Sequence, residues 1–95
     1  MLETVKKALR ISHNQLDGDI SDIIEAARLD LSLSGVSSLK ANDDNDPLIK
    51  RAIIVYAKAN TETDDAKAGR YQKSYDMLKN HLTLAGDYKE GDVIA

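Results

Sequence analysis

Several residue types are missing from this sequence, and each gap narrows the possible folds and functions. There is no cysteine, so the chain has no disulfide framework, no thiolate nucleophile and no cysteine-based zinc site. There is no tryptophan or phenylalanine, so the core has to be built from Leu, Ile, Val, Ala and a few of the four tyrosines. With 95 residues, the chain is long enough for one domain and too short for two separate cores.

Long apolar runs and an excess of positive charge are also absent. No stretch approaches the ~18 apolar residues of a membrane-spanning helix, and the first residues lack the apolar core and cleavage site of a signal peptide. We therefore expect a protein of the cytosol or of a soluble assembly, without membrane contact. The formal net charge of -3 argues against a protein that neutralises many phosphates.

Signatures of catalysis and of ligand binding are missing too. No P-loop, dinucleotide fingerprint or nucleophile elbow occurs, and His13 and His81 have no second ligand at metal-binding spacing. The acidic run at 42–46 looks like the start of a calcium loop, but Pro47 and Ile53 stand where Gly and Glu are required. We therefore predict a non-enzymatic protein with no catalytic residue, no metal, no cofactor and no small-molecule substrate.

Apolar spacing predicts an all-α fold with about four helices in a single small domain. The helices are expected at about 2–11, 20–33, 47–60 and 66–84. A long polar loop, residues 36–46, separates the second helix from the third, and Asp46 followed by Pro47 is typical of a helix start. We predict a helical domain over residues 1–84 and an extended or flexible tail over residues 85–95.

The second and third helices carry apolar residues on more than one side. On the second helix, the core face is predicted to hold Ile20, Ile23, Ile24, Ala27 and Leu31. A second, narrower stripe on its opposite side consists of Ala26, Leu29 and Leu33. On the third helix, the core face is predicted to hold Leu48, Ile49, Ala52, Ile53, Val55, Tyr56 and Ala59. Ile54 falls outside that face and is expected to project among Lys50, Arg51 and Lys58.

These apolar residues exceed what one four-helix core needs. Taken singly, each would be an ordinary exposed hydrophobe. Together they lie on several faces, which suits a subunit that contacts like copies on both of its flanks. The predicted subunit-interface residues are Leu29, Leu33, Ile54 and Met77.

The order of the segments also resembles a known family. The chain contains V-K-K-A-L-R-I at 5–11, D-I-S-D-I-I-E-A-A at 19–27, a glycine at 35 and D-P-L-I-K-R-A-I at 46–53. This succession, over roughly residues 1–84, resembles the head-tail connector family of tailed bacteriophages, whose members are often labelled as DNA-packaging proteins. The segments are packing patterns and contain no nucleotide-binding loop, so the resemblance does not imply motor activity.

The resemblance implies a homo-oligomeric ring, dodecameric in the virion, that lies below the portal protein and extends the DNA channel toward the tail. The implied partners are other copies of the chain, the portal protein and a tail-completion protein, with DNA passing non-specifically. A mildly acidic subunit fits a channel that should not grip phosphates. The residues expected to reach the portal or tail are Leu39, Asp43, Asp44, Tyr88, Val93 and Ile94. The implied location is the head-tail junction of the virion, and the host cytoplasm during assembly.

Two other classes of protein remain open from the sequence. A small helical DNA-binding regulator of phage origin would use a basic recognition helix, and the third helix offers Lys50, Arg51 and Lys58 on one side. A hydrolase or metal protein would need titratable residues that come together in space without any spacing signal.

Overall fold

A computed structural model describes residues 1–89 of the chain, and this part is built almost entirely from helices. The five helices are α1 Leu2–Ala8, α2 Asp17–Leu33, α3 Ser38–Ala41, α4 Pro47–Thr61 and α5 Asp65–Leu84, followed by a 3₁₀ turn, Gly86–Tyr88. Within residues 1–89 there is no β-strand, and an isolated antiparallel bridge joins Val36 to Lys89. The predicted all-α class is confirmed. No helix of this described region is long and apolar enough to cross a membrane.

The structure contains two short elements that the sequence analysis did not predict. The long loop between the second and third predicted helices contains the short helix α3, which its Ser-Leu-Lys-Ala sequence did not signal. The predicted tail begins as an ordered segment, because its first residues form the 3₁₀ turn and the bridge to Val36. The predicted contact residues Val93 and Ile94 lie outside the described residues.

Helix α1 ends earlier than predicted because the chain turns into a left-handed conformation at Arg10. The φ angle of Arg10 is 61°. Its backbone N–H donates to Lys7 O at 3.1 Å, and the N–H of Ile11 donates to Lys6 O at 2.9 Å. This pair of hydrogen bonds is a Schellman motif, which usually places glycine at the left-handed position. An L-residue there costs about 1–2 kcal/mol, so the backbone at Arg10 is strained.

Helix α4 lies at the centre of the domain and packs against both α2 and α5. The buried residues of α4 are Ile49, Ala52, Ile53, Val55 and Ala57, and those of α2 are Ile20, Ile24, Ala27 and Leu31. The α2 set agrees with the predicted core face, on which Ile23 is partly buried. Because α4 has neighbours on several sides, the side chains of Val55 and Ala57 are both covered although they lie on different sides of the helix.

Two predicted positions on α4 are wrong for the same reason. Ile54 was expected to project away from the core, but it is partly buried and packs against it. Leu48 was expected to be in the core, but it is 45% exposed at the first turn of the helix. A helical wheel with one core face assumes that neighbours lie on one side only. It therefore underestimates the burial of side chains in the middle of a central helix and overestimates it at the end of the helix.

Helices α2 and α5 are joined by a polar contact at the edge of the core. The Tyr75 hydroxyl donates to Asp30 Oδ2 at 2.6 Å, and Lys79 Nζ lies 3.1 Å from the same oxygen. Burial, the hydrogen bond to Asp30 and the Asp30 charge together raise the pKa of Tyr75 well above its ordinary value. The Tyr75 ring meets Tyr56 of α4 edge to face, with 5.0 Å between the ring centroids. The tyrosines thus fill the places that Phe and Trp occupy in other cores.

A buried lysine attaches α1 to the start of α2. Lys6 is 3% exposed, and its Nζ donates to Asn14 Oδ1 at 2.7 Å and lies 2.9 Å from Asp17 Oδ1. Asp17 is the first residue of α2, where a negative side chain also interacts favourably with the helix dipole. Lys6 therefore serves as a structural residue that joins the two helices.

Replacing Arg10 with glycine should stabilise the fold by about 1 kcal/mol, because glycine adopts the left-handed conformation without a Cβ clash. Arg10→Ala keeps the Cβ and should leave the free energy of unfolding near that of the wild type. Urea unfolding followed by circular dichroism measures both. A glycine variant no more stable than the alanine variant would contradict the strain assigned to Arg10.

Candidate functional site

The surface of the domain carries several exposed apolar side chains that no core neighbour covers. On α2, Leu29 is 60% exposed and Leu33 is 79% exposed. They are separated by one helical turn and lie on the side opposite the buried residues of that helix. On α5, Met77 is 57% exposed and Leu84 is 77% exposed, again opposite the buried Tyr75 and Leu82. Three of the four predicted interface residues are therefore exposed: Leu29 and Leu33 on α2, and Met77 on α5.

Leu39 of α3 is 86% exposed, which is a high value for so large an apolar side chain. It borders a cavity of about 390 Å³ that is also lined by Lys40, Asp43, Gly86 and Asp87. The predicted contact residues Leu39 and Asp43 are therefore close to the ordered segment after α5. That segment contains Tyr88, so three of the predicted contact residues meet in one region of the surface.

The acidic residues of the 36–46 loop make specific contacts within the domain. Asp44 Oδ1 lies 2.8 Å from Nη1 of Arg28, and the same nitrogen donates to the carbonyl of Ala41 at 3.2 Å. Asp43 accepts a hydrogen bond from the backbone N–H of Asn45 at 3.0 Å. Arg28 therefore fixes the loop to α2, and the loop presents a defined surface.

Asp46 is the best-connected carboxylate in the described part of the chain. Its Oδ1 accepts the backbone N–H of Leu48 at 2.9 Å and that of Ile49 at 3.2 Å, which caps α4. The Tyr88 hydroxyl donates to its Oδ2 at 2.8 Å and approaches Oδ1 at 3.0 Å. Lys40 Nζ lies 3.6 Å from Oδ2 and 5.1 Å from the centroid of the Tyr88 ring. We refer to Lys40, Asp46 and Tyr88 as the Asp46 cluster.

The Asp46 cluster changes the acidity of both of its titrating members. Burial acts to raise the pKa of Asp46, but the hydrogen bonds from Tyr88, Ile49 and Leu48 and the charge of Lys40 outweigh it and lower the pKa below its ordinary value. For Tyr88, burial, the hydrogen bond to Asp46 and the Asp46 charge raise the pKa to about 12. The ionised carboxylate and the neutral phenol are therefore the stable pair over a wide range of pH.

A second depression lies at the other end of the helices. It has a volume of about 590 Å³, and three cations line it: Arg10 after α1, Lys58 of α4 and Lys67 of α5. Its apolar lining comes from Leu9, Ile11 and Tyr71, and Lys58 Nζ lies 5.7 Å from the centroid of the Tyr71 ring. We refer to this depression as the basic groove. Its cations are far apart in sequence, so no local charge pattern could have predicted it.

Metal ligands do not gather in the part of the chain that the structure describes. No group of three or more His, Asp or Glu side chains in this part could hold a metal ion.

The profile of a protein family described as phage connector protein matches residues 1–89. The chain belongs to this family. The match covers all the described helices and the Asp46 cluster, and it confirms the family resemblance found in the sequence. Neither the curated proteins nor the solved structures give a significant match. As a phage connector protein, the chain is a structural component of a virion.

Replacing Tyr88 of this connector protein with phenylalanine should release the segment after α5. The variant loses a hydrogen bond to a buried, charged acceptor, which is worth about 1.5–3 kcal/mol. The backbone N–H of Ser37 donates to Tyr88 O at 2.7 Å, so its amide hydrogen should exchange faster in Tyr88→Phe. Amide exchange followed by NMR measures this, and Tyr71→Phe is the control. Unchanged exchange at Ser37 would contradict the role of the hydroxyl.

The connector should lose the stabilisation from the Asp46 cluster at both extremes of pH. The pKa of Asp46 is lowered on folding, so its contribution is present above the ordinary value of 3.8 and is lost as pH falls through the folded pKa. The pKa of Tyr88 is raised, so its contribution is present below the ordinary value of 10.0 and is lost as pH rises through about 12.

Unfolding free energies of the wild type and of Asp46→Asn, measured from about pH 7 down to about pH 2, check the acid limb. The difference between the two proteins should be constant at neutral pH and should shrink in acid. A difference that stays constant down to the lowest pH would show that the carboxylate charge contributes nothing.

Proposed function

We propose that this connector protein is the subunit of a homo-oligomeric ring, dodecameric in the virion, that lies below the portal. The ring extends the DNA channel and docks the tail-completion protein. Subunits fold in the host cytoplasm and remain at the head-tail junction of the finished particle. Family membership supports a structural role in the virion, and the finer assignment rests on the surfaces of the subunit.

The observation that carries the proposal is the presence of exposed apolar residues on two different helices. Leu29 and Leu33 lie on α2, whereas Met77 lies on α5. A two-fold dimer needs one self-complementary patch, but a ring needs two different patches on each subunit that fit each other. The exposed leucines of α2 and the exposed Met77 of α5 support the ring because they lie on two different helices. Ile54 is a weaker candidate for an interface, because much of its side chain already packs against the core.

The contact with portal or tail proteins is assigned to the surface around Leu39. This surface combines a highly exposed leucine with Asp43 and the 3₁₀ turn, next to a cavity that a partner side chain could fill. Because Arg28 and Asp46 hold the loop and the turn in place, a partner would meet a preformed surface. Asp44 lies beside this surface but is already paired with Arg28.

The passage of DNA through the ring is consistent with the charge of the chain. A net charge of -3 on each subunit argues against a protein that binds many phosphates, which suits DNA that has to slide without being held. A DNA-binding regulator is a less suitable alternative. On α4, the lysine and arginine side chains surround Ile54, which packs against the core and does not protrude toward a groove of DNA.

The mass of the purified protein, measured by light scattering at high concentration with and without the portal protein of the same phage, tests the proposal. We expect either a ring in solution or a ring that forms on the portal. A protein that stays monomeric and ignores the portal would contradict the proposed function. Duplex DNA binding with a steep salt dependence would instead support the regulator.

Changing both Leu29 and Leu33 to aspartate should weaken ring assembly while leaving the fold intact. Both side chains are mostly exposed, so each substitution should alter the free energy of unfolding by no more than about 0.5 kcal/mol. The control carries Gln15→Glu and Asn80→Asp, which add the same charge and remove no apolar side chain. Assembly on the portal, followed by sedimentation, should fall in the leucine variant only. Equal loss in both variants would mean that charge alone is responsible.

A further inference from the structure

The basic groove contains three cations without acidic partners in the described part of the chain. Neither Arg10 nor Lys67 makes an ion pair or a side-chain hydrogen bond there, and Lys58 contacts only the ring of Tyr71. Glu62 also lines the groove, but its carboxylate accepts the backbone N–H of Asp64. The groove therefore has an excess of positive charge on a subunit that is acidic as a whole.

Arg10 adds a second reason to expect a ligand at this groove. Its backbone adopts a left-handed conformation that favours glycine, yet its side chain makes no ion pair or hydrogen bond within the described residues that would compensate for the strain. Strain of this kind persists at functional sites, where the side chain is needed for something other than stability. The groove is the surface that the Arg10 side chain lines.

The outer face of α2 carries negative charge, in contrast to the positive charge of the basic groove. It consists of Asp22, Glu25, Leu29 and Leu33, which follow one another along the side of the helix opposite the core. Asp22 has no ion pair or hydrogen bond among the described side chains, and Glu25 is 74% exposed with one long contact to Arg28 at 3.6 Å. The face thus combines two acidic residues with two exposed leucines, and it extends for about 16 Å.

We propose that the basic groove of one subunit receives the outer face of α2 of the next subunit. Asp22 and Glu25 would pair with the groove cations, and the two leucines would pack toward Leu9, Ile11 and Tyr71. This contact rests on the proposed ring. In it the basic groove, and not the surface around Met77, is the patch that meets the α2 face of the neighbour. No residue of α2 lines the groove, so one subunit can offer its α2 face to one neighbour and its groove to the other.

A protein surface suits the groove better than DNA does. The apolar side chains that line the groove match the leucines of the α2 face, whereas a phosphate backbone offers no apolar partner.

Charge reversal on each side of the contact tests the proposal. Lys67→Glu and Asp22→Lys should each weaken ring assembly by roughly tenfold, because each places like charges opposite one another. The double variant restores opposite charges in reversed order and should recover most of the loss. Lys73→Glu, an exposed change on the same helix outside the groove, is the control and should neither weaken assembly strongly nor be rescued by Asp22→Lys.

Engineered cysteines give a second readout that does not depend on charge. The chain has no cysteine of its own, so a Glu25→Cys and Lys67→Cys pair can form cross-links only at those positions. Oxidation or a short bifunctional maleimide should produce a ladder of linked subunits on a denaturing gel. The pair Glu25→Cys and Lys73→Cys is the control and should give none.

The outcomes separate this inference from the proposed function. If the wild type forms a ring but the charge variants assemble normally and the cysteine pair gives no ladder, the groove contact is wrong and the ring stands. If the wild type neither oligomerises nor binds the portal, the proposed function itself fails. Loss of duplex DNA binding on Lys67→Glu, with assembly unchanged, would assign the groove to nucleic acid and overturn the contact with α2.

Discussion

The carboxylate of Asp46 is the interaction on which the arrangement of this domain depends. It caps the central helix α4 through the N–H groups of Leu48 and Ile49, and it also accepts the Tyr88 hydroxyl. One buried group thus connects the start of α4 to the segment after α5. The chain on either side of α4 is held at the same point, because Lys40 of α3 approaches this carboxylate as well. A capping residue is worth about 0.5–2 kcal/mol on its own, and here it also determines where two loops lie.

Elsewhere in the domain, single polar residues likewise hold the helices and loops together. In larger cores, the packing of aromatic side chains has this role. Lys6 attaches α1 to α2, Arg28 holds the 36–46 loop, and Asp30 joins α2 to α5. These contacts lie at the edges of a core made of aliphatic side chains and Tyr75. As a result, the outer sides of α2 and α5 are not needed for folding, and their leucines and Met77 are available for contacts with other proteins. A structural virion protein needs such surfaces more than it needs a pocket.

The sequence predicted the parts of the fold that depend on local pattern. The core face of α2 and the Asp46–Pro47 start of α4 were found because a helical period and a capping residue act within a few positions. Features that depend on distant residues were missed. The Asp46 cluster joins residues 42 positions apart, and the basic groove draws cations from three separate elements. The error at Ile54 has the same origin, since its burial depends on how many neighbours surround α4.

The distance along the chain between Asp46 and Tyr88 also has a consequence for the order of folding during synthesis. A ribosome adds about 5–20 residues per second, so roughly 2–8 s pass between the two. During that interval the whole of α4 and α5 is synthesised, and the surface around Asp46 and Val36 is not yet covered by the segment that contains Tyr88. The nascent protein therefore keeps this surface uncovered until the turn Gly86–Tyr88 packs onto it, and a chain interrupted before Tyr88 would leave the surface exposed to other proteins.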